Sequence, residues 1–359
     1  MTHKIQEDIP QVGTIAILLF GLLGDVLMRT PVIKILKQYY PGSKLYLFTD
    51  PIGYEVFKNC TSIEEVIIVD RSKTDKLRYY INRINAQKRL LSLKPDMVID
   101  LYGGNSAKRM MKLSFAKYKI GFDNWRVYSN KPILKYLLSL EKFKNPHHLT
   151  SRVLRILSFL PSLEEEKLAT TPVLCFSEKS NNIMQKYIET VHLKKKYFIS
   201  IGSGGKEKQL PIETIAAFLE YIYTTYGYTP LIAKNPSQEY LQKELSNQLL
   251  QKDIPHHNLE MLSISDIQSL MKAVDFVIVP DTGLYHLAVG VGVPVFCYFT
   301  YTNPKLVEPD EGIYQMCYKE IEEFDNFGLY KCSSDIDTAY LQDCFANFQN
   351  KLMILKGFQ

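Results

Sequence analysis

The chain has 359 residues, of which 46% are hydrophobic and 23% charged, with a net charge of +5. That balance excludes a disordered or fibrous chain, and the length suits two domains of ordinary size. The strongly apolar run 14–28 is broken by Gly24 and Asp25 and is too short for a membrane span.

In chain order, residues 14–20 read as a buried strand. Residues 26–40 read as one helix, with apolar positions at Leu27, Val32, Ile33, Leu36 and Tyr40, closed by Pro41-Gly42. Strands are predicted at 44–49, 65–70, 97–101 and, shorter, at 119–122, with a basic helix over 74–88. Strands that alternate with helices demand a parallel, doubly wound sheet. The stretch 160–179, with Pro161, Glu164-Glu165-Glu166 and Pro172, reads as the linker region. The pattern then restarts with strands at 197–201, 229–233, near Leu259, 276–279 and 293–299. Helices are predicted at 211–226, 238–251, 264–273 and 285–291. Residues 338–355 place Leu341, Cys344, Phe345, Phe348 and Leu352 at helix spacing.

The six cysteines form no CxxC pair and sit singly among apolar residues, so reduced core thiols in a cytosolic protein are expected. Acids in the first eight residues argue against a secretory leader. Residues 107–155 hold twelve Lys or Arg against Asp123 and Glu141. That surface is either a solvated face or a match for an acidic partner, such as anionic lipid or a phosphorylated glycan. No nucleic-acid-binding pattern accompanies it, so no nucleic acid partner is expected.

Three loops carry chemistry. The strand at 276–279 runs into Asp281-Thr282-Gly283 and then a small-residue helix. The first helical N–H groups are unpaired and the helix dipole is positive there, which suits a phosphate. Thr282 adds a hydroxyl donor, and Gly283 lets a ligand approach the backbone. His286, one turn on, either reaches a phosphate oxygen or is a satisfied core histidine. Asp281 either contacts a ribose or sugar hydroxyl or caps its helix. The second loop is Gly202-Ser203-Gly204-Gly205-Lys206-Glu207-Lys208-Gln209-Leu210-Pro211. It is not a Walker A loop, which needs GxxxxGK[ST]. With the Asp281 turn it reads as a two-sided cradle for a diphosphate. The third is Gly21-Leu22-Leu23-Gly24-Asp25-Val26, at the strand edge where open α/β sheets bind ligands. It lacks the third glycine of a dinucleotide fingerprint, which disfavours a nicotinamide cofactor. Asp25 either caps the next helix or serves as a catalytic carboxylate. Asp335-Ile336-Asp337 is formally a DxD, but it stands before the terminal helix and is expected to cap it. The adjacent pairs His147-His148 and His256-His257 diverge, and no metal site is expected.

These loops resemble those of the bacterial heptosyltransferase family (glycosyltransferase family 9). The family's GD-apolar…TxP loop is similar to Gly24-Asp25-Val26-Leu27-Met28-Arg29-Thr30-Pro31. Its GSGxxxKxWP loop is similar to Gly202 through Pro211, and its D-[ST]-G-x-x-H-L-A motif to Asp281 through Ala288. Asp100-Leu101-Tyr102-Gly103-Gly104-Asn105-Ser106 is similar to a D-L-Q-G turn, and His148-Leu149-Thr150-Ser151-Arg152 to an H-x-x-x-R helix. The chain departs from the pattern at Leu19, where Lys or Arg is usual, and at Gln209-Leu210, where a tryptophan is usual. It departs again at Gln238, with Glu239 beside it, where an acidic ribose contact is usual.

The resemblance implies a GT-B fold, an α/β architecture of two Rossmann-like, doubly wound parallel-sheet domains facing across a cleft. The acceptor domain would span 1–170 and the nucleotide-sugar domain 171–337, with the terminal helix, 338–359, crossing back to the first. It implies an inverting transfer of heptose from ADP-heptose to the lipopolysaccharide inner core, with Asp25 as general base and no cofactor or metal required. Ser203, Gly204, Lys208, Gln238, Glu239, Asp281, Thr282, Gly283 and His286 would hold the donor. Gly24, Asn105, Lys108, Arg109, Arg126, His148 and Arg152 would face an acidic, lipid-anchored acceptor. The protein would be cytoplasmic, in peripheral contact with the anionic inner membrane. Two other readings stand beside this one: a GT-B transferase with a different nucleotide sugar or acceptor, such as a capsule or protein glycan, and a non-catalytic sugar-nucleotide-binding protein.

Overall fold

The computed structural model describes residues 11–71, 76–123, 126–130, 147–160, 168–235, 237–325 and 328–356. The chain divides into two compact units, Met1–Cys175 and Phe176–Gln359, a boundary five residues beyond the expected one.

The first unit has a six-stranded sheet of β1 (Thr14–Leu19), β2 (Lys44–Thr49), β3 (Glu65–Ile68), β4 (Met97–Asp100), β5 (Tyr118–Asp123) and β6 (Arg126–Ser129). Its spatial order is β3-β2-β1-β4-β5-β6, and only the β5–β6 pair is antiparallel. The helices are α1 (Leu23–Leu27), α2 (Thr30–Tyr39), α3 (Pro51–Phe57), α4 (Lys76–Leu93), α5 (Asn105–Leu113) and α6 (Leu149–Leu154). The single helix expected at 26–40 is therefore two. Pro31 cannot donate to the Leu27 carbonyl, and the Thr30 hydroxyl takes that bond at 2.7 Å. The ladder breaks there and a second helix starts with Pro31 in its first turn.

The second unit repeats the plan. Helix α7 (Glu178–Val191) leads to β7 (Lys196–Ile199), α8 (Ile212–Tyr226), β8 (Thr229–Ile232), α9 (Glu239–Gln251), β9 (His257–Asn258) and α10 (Ile264–Lys272). Then come β10 (Phe276–Pro280), α11 (Gly283–Val291), β11 (Val295–Phe299) and β12 (Tyr314–Tyr318). A two-stranded ribbon, β13 (Glu320–Phe324) with β14 (Tyr330–Cys332), and the terminal α12 (Thr338–Lys356) follow. The sheet order is β12-β11-β10-β7-β8-β9, all parallel. Its strands β8, β10 and β11 are buried on both faces, which is why they read as continuous apolar runs.

Two expectations are corrected. Helix α12 lies in the core of the second unit, not the first. Phe345 and Phe348 pack edge-on against Phe276, with ring centroids 5.5 and 5.7 Å away, and Phe345 also meets Phe218. Burying these two rings on that core holds the helix there. Nor are all six cysteines free. Cys60 and Cys175 form a disulfide that closes a loop of 115 residues, while Cys297, Cys317, Cys332 and Cys344 are free and buried. The last stretch of the first unit returns to α2, where the Val173 N–H bonds the Thr30 hydroxyl at 2.7 Å. That return brings Cys175 to the end of α3. Sequence spacing carries no trace of it.

Candidate active site

In each sheet the strand order reverses between the first strand and the fourth: β1 and β4 in the first unit, β7 and β10 in the second. Ligands in open α/β sheets bind beyond the carboxyl ends of the strands at such a switch point. The four loops that follow those strands are Gly21–Asp25, Asp100–Gly104, Gly202–Lys208 and Asp281–Gly283. All four carry the residues singled out from the sequence.

In the first unit these loops wall a cavity of about 480 Å³ lined by Gly21, Leu22, Asp25, Asp50, Pro51, Ile52, Asp70, Arg71 and Tyr102. Each residue follows the end of β1, β2, β3 or β4. Asp25 stands in the first turn of α1, and its Oδ2 accepts the Leu22 N–H at 3.3 Å. Its Oδ1 pairs with the Arg29 guanidinium at 3.2 Å, and the side chain stays 44% exposed. Capping and availability to a substrate therefore coexist. Arg29 is buried and rigidly held: Nε donates to the Leu101 carbonyl at 2.6 Å and Nη1 to the Asp25 carbonyl at 2.5 Å. One cation thus ties the end of β4 to Asp25. Gly21 is fixed from the other side, its N–H donating to Asp50 Oδ2 at 2.9 Å. Its φ of +136° suits glycine, and a Cβ there would lie 2.8 Å from the Cβ of Asp25. Asp50 also takes the Arg71 fork, with two contacts of 2.7 Å. That guanidinium lies between the rings of Phe20 and Tyr102, 4.7 and 4.8 Å from their centroids.

Asp100 is wholly buried at the end of β4. Its Oδ1 accepts the N–H groups of Tyr102 and Gly103, both at 2.9 Å, while Oδ2 has no partner. Burial pushes the carboxyl up to about 6. The two backbone bonds and the charges of Lys108 and Arg29 pull the other way without cancelling it.

In the second unit Lys208 and Asp281 meet. Lys208 Nζ lies 2.5 Å from Asp281 Oδ2, joining the loop after β7 to the turn after β10. A short 3-10 turn, Lys206–Lys208, aims the lysine, and the Thr300 hydroxyl anchors that turn through the Glu207 carbonyl at 2.6 Å. Ser203 is bent back on its own loop, its hydroxyl donating to the Gly205 carbonyl at 2.6 Å. Gln238 braces the same loop, Oε1 accepting the Ser203 N–H at 3.0 Å and Asn235 Nδ2 at 3.2 Å. A Cβ at Gly202 would lie 2.7 Å from that Oε1 and would push the Gln238 and Asn235 amides aside. Thr282 stands at the N-cap of α11 without capping it, and its hydroxyl is buried with no partner. His286 is buried one turn into α11, with its ring edge-on to Tyr285 at 5.1 Å. Among the described residues no group of three His, Cys, Asp or Glu is placed to hold a metal ion.

The sequence profile of glycosyltransferase family 9 (heptosyltransferase) matches residues 83–329. The chain belongs to glycosyltransferase family 9. It is 22% identical over 296 residues to the lipopolysaccharide core heptosyltransferase OpsX of Haemophilus influenzae, covering 82% of this chain and 81% of that one. A family 9 glycosyltransferase from Veillonella parvula superposes with a TM-score of 0.76 at 17% identity, over 96% of this chain and 99% of that one. The Escherichia coli heptosyltransferase WaaC, solved with ADP-2-deoxy-2-fluoro heptose, superposes with a TM-score of 0.64 at 17% identity, over 93% and 99%. The two-sheet GT-B architecture is thus shared with this family, and the protein is a glycosyltransferase.

For this family 9 chain the remaining expected residues divide by position. Gly24, Asn105 and Lys108 lie in or beside the carboxyl-edge loops of the first unit, and Arg126 opens β6 opposite Asp123 at the same edge. Arg109 is exposed on α5. His148 is a buried cap, its Nδ1 accepting the Thr150 N–H at 2.9 Å, so its first role is to start α6. Arg152, half-buried on α6, lies close enough to Arg155 to help burial lower that guanidinium's pKa. Glu239 is paired with Lys234 at 3.0 Å, and Asp337 caps α12 through the Tyr340 N–H at 2.8 Å, as expected of the DxD. Sequence reasoning missed Asp50, Asp70, Arg71, Tyr102 and the strut Arg29. All but Arg29 lie one to three positions beyond a strand end, and inspecting every such position finds them.

Proposed function

We propose that this protein transfers a heptose from ADP-heptose to the inner core of lipopolysaccharide, with inversion at the anomeric carbon. The observation that carries the reading is the pair of switch points, one lined by an accessible, cation-held carboxylate and the other by the Lys208–Asp281 pair beneath a helix N-terminus. Asp25 takes the proton of an acceptor hydroxyl as its oxygen attacks the anomeric carbon, a contribution of about 10²–10⁴-fold. The bond from sugar to diphosphate breaks, and the leaving ADP gathers negative charge. Lys208, the N–H groups at Thr282 and Gly283, and the Ser203–Gly204 loop stabilise that charge. Arg29 holds Asp25 in place. In this reading no cofactor or metal takes part. Lys108, Arg109, Arg126 and Arg152 draw the acidic, lipid-anchored acceptor, and the protein acts at the cytoplasmic face of the inner membrane. The relatives named as lipopolysaccharide heptosyltransferases support the substrate class.

One observation favours transfer from another nucleotide sugar. Gln238 braces Ser203 and Glu239 is paired with Lys234, so neither is a free ribose acceptor. A thermal-shift screen with ADP, UDP, GDP and CMP separates the two readings, because a ligand at a hundred times its Kd stabilises by about 2.7 kcal/mol. Selective stabilisation by ADP is expected, and a UDP or GDP preference overturns the donor assignment.

A further inference from the structure

We propose that the outer face of α4 docks the protein on an anionic lipid bilayer. The proposal deepens the reading of a membrane-anchored acceptor, and its test needs neither acceptor nor donor. Helix α4 is 18 residues long, and its sequence KLRYYINRINAQKRLLSL holds five Lys or Arg and no acid. Only Ala86 and Leu90 are buried, and they join the apolar layer beneath the sheet. At about 100° per residue, Leu77, Tyr80, Ile81 and Ile84 fall on the opposite side. They are indeed left in solvent, at 70%, 61%, 46% and 53% exposure. A surface helix that merely covers a core shows polar residues there. This one shows a second apolar stripe, with the exposed Lys76 and Lys88 near its two ends.

Some of these cations serve the protein itself. Arg83 bonds the Tyr79 hydroxyl at 2.5 Å, and Arg89 pairs with Glu65. The rest of the pattern, an apolar stripe among cations without a single acid, is that of a helix lying in a headgroup interface. A protein partner that covered the stripe would also have to supply the missing acids, whereas an anionic bilayer supplies both the apolar depth and the charge. Helix α5, which packs beside α4 on the same layer, continues the basic character with exposed Arg109 and Lys112. No helix among the described residues is long and apolar enough to cross a membrane, so the contact is a surface one. The placement suits the site, since α4 follows closely after Asp70 and Arg71, which line the cavity beside Asp25.

The test is flotation of the full chain with vesicles of phosphatidylcholine alone or of phosphatidylcholine with 30% phosphatidylglycerol, at low and high salt. Binding is expected to the anionic vesicles, to fall at least fivefold in high salt, and to be near background on neutral ones. Ile81→Ser with Ile84→Ser, and separately Lys76→Glu with Lys88→Glu, should each cut the bound fraction at least fivefold. The ADP-induced thermal shift should remain intact in both. All four positions are exposed, and that shift also reports a folded second unit. Equal binding to neutral vesicles overturns the proposal, as does undiminished binding by both variants. A wild-type dimer in light scattering that the Ile81→Ser, Ile84→Ser variant dissolves overturns it in favour of a second copy of this chain on α4. Loss of vesicle binding with ADP recognition retained, or the reverse, separates this proposal from the reading of the active site.

Discussion

The two units share one strand order and differ in what their switch points hold. The first surrounds its cavity with Asp25, Asp50 and Asp70 and uses buried Arg29 and half-buried Arg71 to hold carboxylates in place. The second offers glycines, a lysine, an unpartnered threonine hydroxyl and the start of a helix. The scaffold is the same, so the chemistry lies in the loops. A carboxylate edge is suited to moving protons from hydroxyl groups, and a cationic, donor-rich edge to holding phosphate. A glycosyl transfer needs one of each.

The sharpest way to break this division is Asp25→Asn, which should cut transfer by about 10²–10⁴-fold. The ADP-induced thermal shift of the second unit should be untouched. Transfer that survives would remove the first unit's claim to the chemistry.

Asp100 tests whether the carboxylate edge stores strain that the second unit lacks. Its pKa is raised from 3.8 to about 6 in the folded protein. The folded state therefore holds its proton more tightly than the unfolded chain, and this contribution to stability is complete below about pH 4. It is lost as pH rises through about 6. Asp100→Asn keeps the Oδ1 acceptor and removes the buried charge. It should raise stability at pH 8 by about 3 kcal/mol, at about 1.4 kcal/mol per unit, and have little effect near pH 4. Urea denaturation at the two pH values reads the difference, and an equal effect at both would show that burial of Asp100 costs nothing.

Lys208→Ala should weaken ADP binding by about 10–100-fold, the loss of one charge-assisted contact of about 1.5–3 kcal/mol. It should leave the stability of the first unit unchanged. Calorimetric titration checks the first point, and an unaltered Kd would take the lysine out of the donor site. The smallest effect compares two loop glycines. Gly21→Ala meets a positive φ and the Cβ of Asp25, and should cost about 1–3 kcal/mol. Gly204→Ala meets nothing within 4 Å and should stay within about 0.5 kcal/mol. Similar losses at both would mean that the first loop is no more constrained than the second.

Legibility from sequence differed between the units as well. Five of the second unit's six sheet strands were readable from sequence, because a parallel strand buried on both faces is an unbroken apolar run, whereas β12, only partly buried, went unseen. In the first unit α3 and α5 went unseen. Both are short, and α3 opens on Pro51-Ile52-Gly53, which resembles a turn. The ribbon β13–β14 was missed because acid-rich β13 buries little on either face and β14 is only three residues long. Asp25, Lys208 and Asp281 were legible because each follows a strand that was itself legible. Arg29 was not: it lay inside what read as one helix, and its bond to the Leu101 carbonyl joins residues 72 apart in the chain.

By itself the sequence determined the alternation of strands and helices, and therefore two parallel sheets, because hydrophobic periodicity is local. It also singled out loops at the carboxyl ends of strands, where open α/β sheets bind ligands. Tertiary structure alone decided the rest. It sent α12 into the second unit's aromatic core, joined Cys60 to Cys175 across 115 residues, and placed Asp50 and Arg71 around the loop that presents Asp25. Each is a contact between residues far apart in the chain, and it forms only when distant apolar surfaces are buried together.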